Sequence, residues 1–230
     1  MLDKWLNTIQ QMDCIEGMRQ LPDKCIDLIV TDPPYHTVGG GATTISGGIF
    51  GDSLVKKGTF FHENSIKFLD WLPHIYRVLK EGTHAYIMIN GRNLAELQTT
   101  AESVGFQYQN TLIWNKGNVT PNRYYMQQCE FILMFSKRPA RTINNPSSKN
   151  LISIPNIIGN KSHPTEKPVS LMGVFISNST PKGGIVLDPF MGAGSTAIAC
   201  KDLGRNFIGF ELEPKYVEIA NKRLQQEVLL

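Results

Sequence analysis

The sequence has little of what metal or disulfide chemistry requires. Its four cysteines, Cys14, Cys25, Cys129 and Cys200, fall at no paired spacing, and its five histidines, His36, His62, His74, His84 and His163, are scattered. This argues against a zinc ribbon and a disulfide-stapled scaffold, and no metal is expected. No apolar run reaches membrane-spanning length and no segment has the order of a signal peptide, so a cytoplasmic chain with reduced thiols is expected. A phosphate-loop lysine and the third glycine of the dinucleotide fingerprint are also missing, which argues against nicotinamide or nucleoside-triphosphate chemistry.

What is present suits a single α/β domain: 230 residues, 41% of them hydrophobic, are enough for a sizeable core. The formal charge of +3 is unevenly spread. From Asn115 to Ser162 stand Lys116, Arg123, Lys137, Arg138, Arg141, Lys149 and Lys161 against Glu130 alone, a net +6 that leaves −3 elsewhere. A phosphate-tracking face is one explanation of such a cluster, and a solvated surface is the other.

The chain is organised around the stretch from Ile26 to Tyr35. Leu28, Ile29 and Val30 predict a buried strand, and Pro33 and Pro34 end its ladder pairing. Asp32 and Tyr35 are thereby delivered to the carboxyl edge of a sheet, where open α/β sheets bind ligands. A carboxylate, a carbonyl and an aromatic ring in so short a span suit a flat molecule with an exocyclic amine. Asp32 and the Pro33 carbonyl can each accept one N–H while Tyr35 stacks on the ring.

Around it, Thr8 to Asp13 predicts a strand and Cys14 to Leu21 a short helix. Residues 36–62 form a glycine-rich loop without periodicity, expected to be mobile. Asn64 to Lys80 and Arg92 to Val104 predict amphipathic helices flanking a strand over Thr83 to Asn90. Phe106 to Trp114 and Cys129 to Ser136 predict two strands, which can form an antiparallel pair at the sheet edge. Pro139 to Ser162 is expected to be loop.

A second stretch decides the first. Gly184 to Asp188 is an apolar strand ending in an acid, followed by Pro189, Phe190 and Met191, the turn Gly192-Ala193-Gly194, and a helix. Asn206 to Phe210 is another strand, ending at Glu211, which lies 19 residues beyond Gly192, close to the roughly 20-residue offset at which an acid meets ribose hydroxyls. A nucleoside ligand without a pyrophosphate fits this pattern.

Together these motifs resemble the S-adenosylmethionine-dependent DNA amino-methyltransferases in their permuted, β-class order. Asp32-Pro33-Pro34-Tyr35 resembles the catalytic tetrapeptide, and Asp188-Pro189-Phe190-Met191-Gly192-Ala193-Gly194 the cofactor loop. The stretch from His163 to Leu171 is similar to the segment just upstream of that loop, and that from Gly209 to Tyr216 to the ribose-binding end. The resemblance implies a Rossmann-like methyltransferase fold in circularly permuted motif order, with a mostly parallel seven-stranded sheet and an antiparallel edge hairpin. It implies S-adenosylmethionine as cofactor. Catalytic roles fall to Asp32, Pro33, Pro34 and Tyr35. Asp188, Phe190, Gly192 and Gly194 would surround the methionine part of the cofactor, Glu211 its ribose, Thr165 and Lys167 its carboxylate, and Asp13 with Cys14 its adenine.

The implied reaction is direct methyl transfer to a flipped-out base in double-stranded DNA. No cysteine follows a proline, as carbon-5 cytosine methylation would require. In the family a leading Asp is more typical of adenine enzymes, so Asp32 favours adenine N6 over cytosine N4. Methylation of RNA, or nucleic-acid binding by an inactive module, would use many of the same residues and stays open. Duplex contacts are expected from the glycine-rich loop 36–62 and from a recognition insertion around 115–162, through Lys116, Arg123, Arg138 and Arg141 on phosphates and Asn122, Gln127 and Gln128 on base edges. A homodimer and a restriction partner are both compatible with the resemblance.

Overall fold

The computed structural model describes residues 2–34, 66–120, 124–159 and 166–226. In chain order its elements are β1 (Thr8–Gln11), α1 (Cys14–Arg19), β2 (Ile26–Thr31), α2 (Phe68–Val78), β3 (Leu79–Ile89), α3 (Leu94–Val104), β4 (Gln107–Thr120), β5 (Gln127–Ser136), β6 (Leu151–Ser153), α4 (Val169–Ser179), β7 (Ile185–Asp188), α5 (Ser195–Asp202), β8 (Asn206–Glu211) and α6 (Pro214–Gln225). The strands form one sheet in the order β1-β8-β7-β2-β3-β5-β4-β6.

Uninterrupted apolar runs need cover on both faces, and the two found in the sequence lie side by side in the sheet interior. β2 pairs in parallel with β7 and with β3. Its side chains feed two cores, alternating from Leu28 to Val30 after a register shift between Ile26 and Leu28. Ile26 and Ile29 join Met18, Trp71, Leu72 and Ile75 beneath α1 to α3. Leu28 and Val30 join Leu171, Phe175, Ile176 and Cys200 beneath α4 to α6. Asp27, at the start of β2, ties the centre together: its carboxylate accepts Lys80 Nζ at 2.7 Å and the Ile185 N–H at 2.9 Å.

The sheet has eight strands rather than the expected seven, and the hairpin is not its edge. β4 and β5 pair antiparallel, β5 also pairs antiparallel with β3, and β6 adds to the outside of β4 in parallel. A three-residue strand with only Ile152 buried carries too little periodicity to stand out within the polar segment from Pro139 to Ser162. β4 also runs past Trp114, because Asn115 pairs with Cys129 and Thr120 with Gln127. Residues 115–120 and 127–136 therefore continue the sheet.

α2 begins at Phe68, where the Lys67 N–H donates to Asp70 at 2.7 Å. It ends at Val78 instead of Lys80, because Leu79 already pairs with Ile26. No helix among the described residues is long and apolar enough to cross a membrane.

Candidate active site

Four neighbouring strands end in acids at one edge. From the outside inward these are Asp13 after β1, Glu211 on β8, Asp188 on β7 and Asp32 after β2. The parallel register aligns them, with Gln11 opposite Glu211 and Asp188 opposite Gly209. Each acid has a different occupation, and the occupations decide what it can do.

Asp188 is buried, with only 4% of its surface exposed. Its Oδ1 accepts the Thr31 hydroxyl at 2.8 Å and the Phe190 N–H at 3.1 Å, and its Oδ2 accepts the Thr196 hydroxyl at 2.6 Å. It thus binds β2, the loop after β7 and the first turn of α5 to one another. Burial pushes its pKa up to about 6, against the pull of these hydrogen bonds. Between about pH 4 and 6 the folded chain holds a proton that the unfolded chain has lost, so Asp188 makes stability fall as pH rises through that window and then level off. Urea unfolding of the wild type and of Asp188→Asn from pH 4 to 7 is expected to show this slope as a stability difference that changes up to about pH 6 and is flat above it.

The glycine turn hangs from Asp188 at one end and Glu211 at the other. Glu211 Oε2 accepts the Gly192 N–H at 2.7 Å, and its Oε1 accepts the Glu213 N–H at 2.9 Å. Gly192 has φ +53° and open space where a Cβ would stand. At Gly194, φ is +85° and a Cβ would sit 2.9 Å from Ala220 Cβ, so glycine is required for both conformation and helix packing. Phe190 is half-buried beyond Asp188, with Trp71 edge-on to it at 5.3 Å. Among the four acids, Asp13 serves its own helix, its Oδ1 accepting the Ile15 and Glu16 N–H groups at 2.9 and 3.1 Å. Cys14 is buried and its thiol is pushed up to about 12, chiefly by burial; burial likewise raises Cys200. Neither thiol is a nucleophile near neutral pH.

Asp32 differs from the others. Its side chain remains 21% exposed, and Oδ2 is in contact with the ammonium of Lys167. Burial raises its pKa and Glu130 adds to the rise, while Lys167 opposes both. Pro33 is buried beside it, and Pro34 is half-buried. Lys167 is itself fixed from behind, its carbonyl accepting the Ser195 hydroxyl at 2.8 Å. Expected near a cofactor carboxylate, Lys167 is in contact with the Asp32 carboxylate.

Lys116 is not a surface cation: it is buried, and its Nζ lies 3.1 Å from Glu130 Oε1. Arg138 and Arg141 lie at the opposite edge of the sheet. They follow Ser136, which pairs with His84 of β3, and the Arg141 N–H donates to the Gly82 carbonyl, earlier on the same strand, at 3.0 Å. Gln127 and Gln128 are exposed on β5 at the site's own edge, where Gln128 Nε2 donates to Asn115 Oδ1 at 3.1 Å. Tyr35, Asn122, Arg123, Thr165 and the loop 36–62 lie outside the described residues. Thr31, Thr196, Ser195 and Glu130 were not expected in the site. Of these, Thr31 and Ser195 directly adjoin motif residues and Thr196 follows one position on, whereas Glu130 has no sequence signal beyond being the one acid in a basic segment.

Residues 26–222 match the family model described as DNA methylase, for N6 and N4 methyltransferases. The chain is 33% identical to the type II methyltransferase M.HinfI of Haemophilus influenzae, over 98% of this chain and 70% of that protein. The crystal structure of the M1.HpyAVI–SAM complex is similar with a TM-score of 0.71 and 30% identity, covering 94% of this chain and 98% of the other. The cytosine-N4-specific PvuII DNA methyltransferase shares the fold at a TM-score of 0.75 and 18% identity, over 96% of this chain and 87% of its own. A family match that takes in the acidic ends of β2, β7 and β8 and the glycine turn between β7 and α5 makes this chain a member of the N6/N4 DNA methylase family.

Proposed function

We propose that the chain transfers a methyl group from S-adenosylmethionine to N6 of adenine in duplex DNA, at specific sites and on a flipped-out base. The observation that carries this reading is the partly open Asp32 carboxylate, one strand away from a glycine turn with open space at Gly192. The turn fits an adenosyl ligand, since it offers backbone approach and acids but no phosphate-binding lysine. Gly192, Gly194 and Phe190 would line the cofactor's methionine part, with Asp188 holding their loop in place. Glu211 would meet the ribose, and the Asp13–Cys14 turn the adenine. When bound, the cofactor supplies an electrophilic sulfonium methyl.

The protein's part is positioning. An amine conjugated to its ring is a poor nucleophile. Asp32 and the Pro33 carbonyl each accept one of its hydrogens, which turns the nitrogen lone pair out of the ring plane and toward the methyl. As the nitrogen gains its fourth bond and a positive charge, Asp32 takes one N–H proton, a role suited to a carboxylate raised by burial. Flipping the base costs about a few kcal/mol, and stacking on Tyr35, on the order of 1–3 kcal/mol, offsets part of it.

The duplex is read by the face around this edge. Tyr124, Tyr125 and Met126, just before β5 at this edge, are 81%, 88% and 65% exposed. Arg138 and Arg141 are on the far edge, so the double Ala variant is expected to keep the wild-type slope of log affinity against log salt. A phosphate contact at either position would lower that slope by about one.

Nucleoside mass spectrometry of mixed-sequence duplex DNA, after incubation with the protein and S-adenosylmethionine, tests the function. N6-methyladenine is expected. N4-methylcytosine would keep the chemistry and change the base, and absence of both would overturn the proposal.

A further inference from the structure

The Asp32 carboxylate belongs to a longer chain of charges. The Lys167 ammonium in contact with Asp32 Oδ2 is also 3.7 Å from Glu130 Oε2 on β5. The other oxygen of Glu130 is 3.1 Å from Lys116 Nζ on β4. Asp32, Lys167, Glu130 and Lys116 thus alternate in sign, each from a different segment of the chain. Both lysine side chains are only 10% exposed, so neither is a solvated cation and each depends on a carboxylate within reach. Asp188, one strand over, is the further charge facing Asp32.

Resting on the methyl-transfer reading above, we propose that Glu130 is a positioning residue, which shares the Lys167 ammonium with Asp32 and takes it over when the target amine arrives. The amine and the ammonium both donate to the same carboxylate, and the ammonium, being charged, is the stronger donor. If Asp32 were its sole counter-charge, moving it aside would strand a buried cation. Glu130 removes that obstacle. A shift of about 1 Å brings Nζ from 3.7 Å to ordinary ion-pair distance from Glu130, and Asp32 is then free to accept the N–H of the base. Lys116 keeps Glu130 aligned from the other side.

The test is a double-mutant cycle of single-turnover methyl transfer to duplex DNA, using the wild type, Glu130→Gln, Lys167→Met and the double variant. Gln keeps an acceptor oxygen for Lys116 and loses the charge that competes for Lys167. Glu130→Gln is expected to slow transfer about tenfold with unchanged S-adenosylmethionine affinity. It should also move the acid limb of the rate profile to lower pH, since an ammonium left wholly on Asp32 favours the ionised carboxylate. In the Lys167→Met background the same substitution is expected to change the rate less than twofold. The pH profile of Glu130→Gln needs no Lys167 variant and decides the matter even if Lys167→Met does not fold. An equal loss in both backgrounds, or a loss uniform in pH, overturns the exchange alone. A wild-type chain that transfers no methyl group to DNA overturns the proposed function and the exchange with it.

Discussion

Replacing Asp32 with Ala is expected to lower single-turnover methyl transfer on the order of a thousandfold while leaving S-adenosylmethionine affinity within about threefold of wild type. The rate loss follows from removing the group that orients the amine and accepts its proton; losses of about 10²–10³ accompany removal of one such preorganised contact. The affinity survives because Asp32 makes no hydrogen bond to the glycine turn, which hangs from Asp188 and Glu211. The fold also survives, since Lys167 retains Glu130 as a counter-charge. Asp32→Asn separates geometry from charge. It keeps one acceptor oxygen but cannot take a proton as readily, and its rate is expected to fall between those of wild type and Ala. Calorimetry for the cofactor and quenched-flow transfer on the same preparations check both halves. A parallel loss of cofactor affinity would mean that Asp32 belongs to the cofactor pocket.

Asp188→Ala is expected to have the opposite profile, with cofactor affinity down at least about tenfold and a less stable fold. The substitution strands the Thr31 and Thr196 hydroxyls, which are 1% and 3% exposed, together with the Phe190 N–H. A buried donor left without its acceptor costs about 1–3 kcal/mol. The sum is smaller than three such costs, because near neutral pH burial already disfavours the ionised Asp188. A net loss of about 3 kcal/mol is expected, read from urea unfolding. Asp188→Asn keeps the shape with less loss of stability, so reduced cofactor affinity in that variant reflects a slackened glycine turn. Wild-type affinity in both variants would contradict a cofactor pocket built on this turn.

The parts of this molecule that were legible in the sequence are those encoded by local pattern. Leu28 to Val30 and Ile185 to Leu187 read as buried strands because parallel strands covered on both faces need unbroken apolar runs. The acids that follow them mark the carboxyl edge, and Gly192 and Gly194 sit where the backbone takes positive φ. What could not be read depends on pairing between distant segments. Lys167 meets Asp32 across 135 positions of sequence, and no local signal could have said that it stands on this carboxylate. Lys116 looked like a phosphate contact by charge alone; extension of β4 past Trp114 turned it toward Glu130 instead. Arg138 and Arg141 sit close to Lys116 in composition but at the other end of an antiparallel strand, so charge clustering in sequence was not clustering in space. β6 exists only because Ile113 and Trp114 offer an open strand edge to Leu151 and Ile152.

The measurement that bears most directly on the central claim is transfer from S-adenosylmethionine carrying a deuterated methyl group to mixed-sequence duplex DNA. Wild type and Asp32→Ala would be compared by nucleoside mass spectrometry after digestion. A deuteromethyl group on adenine N6 is predicted in the wild-type reaction, and none above background in the variant. Label on a ring carbon, or equal labelling by the two chains, would contradict direct transfer to an amine held by Asp32.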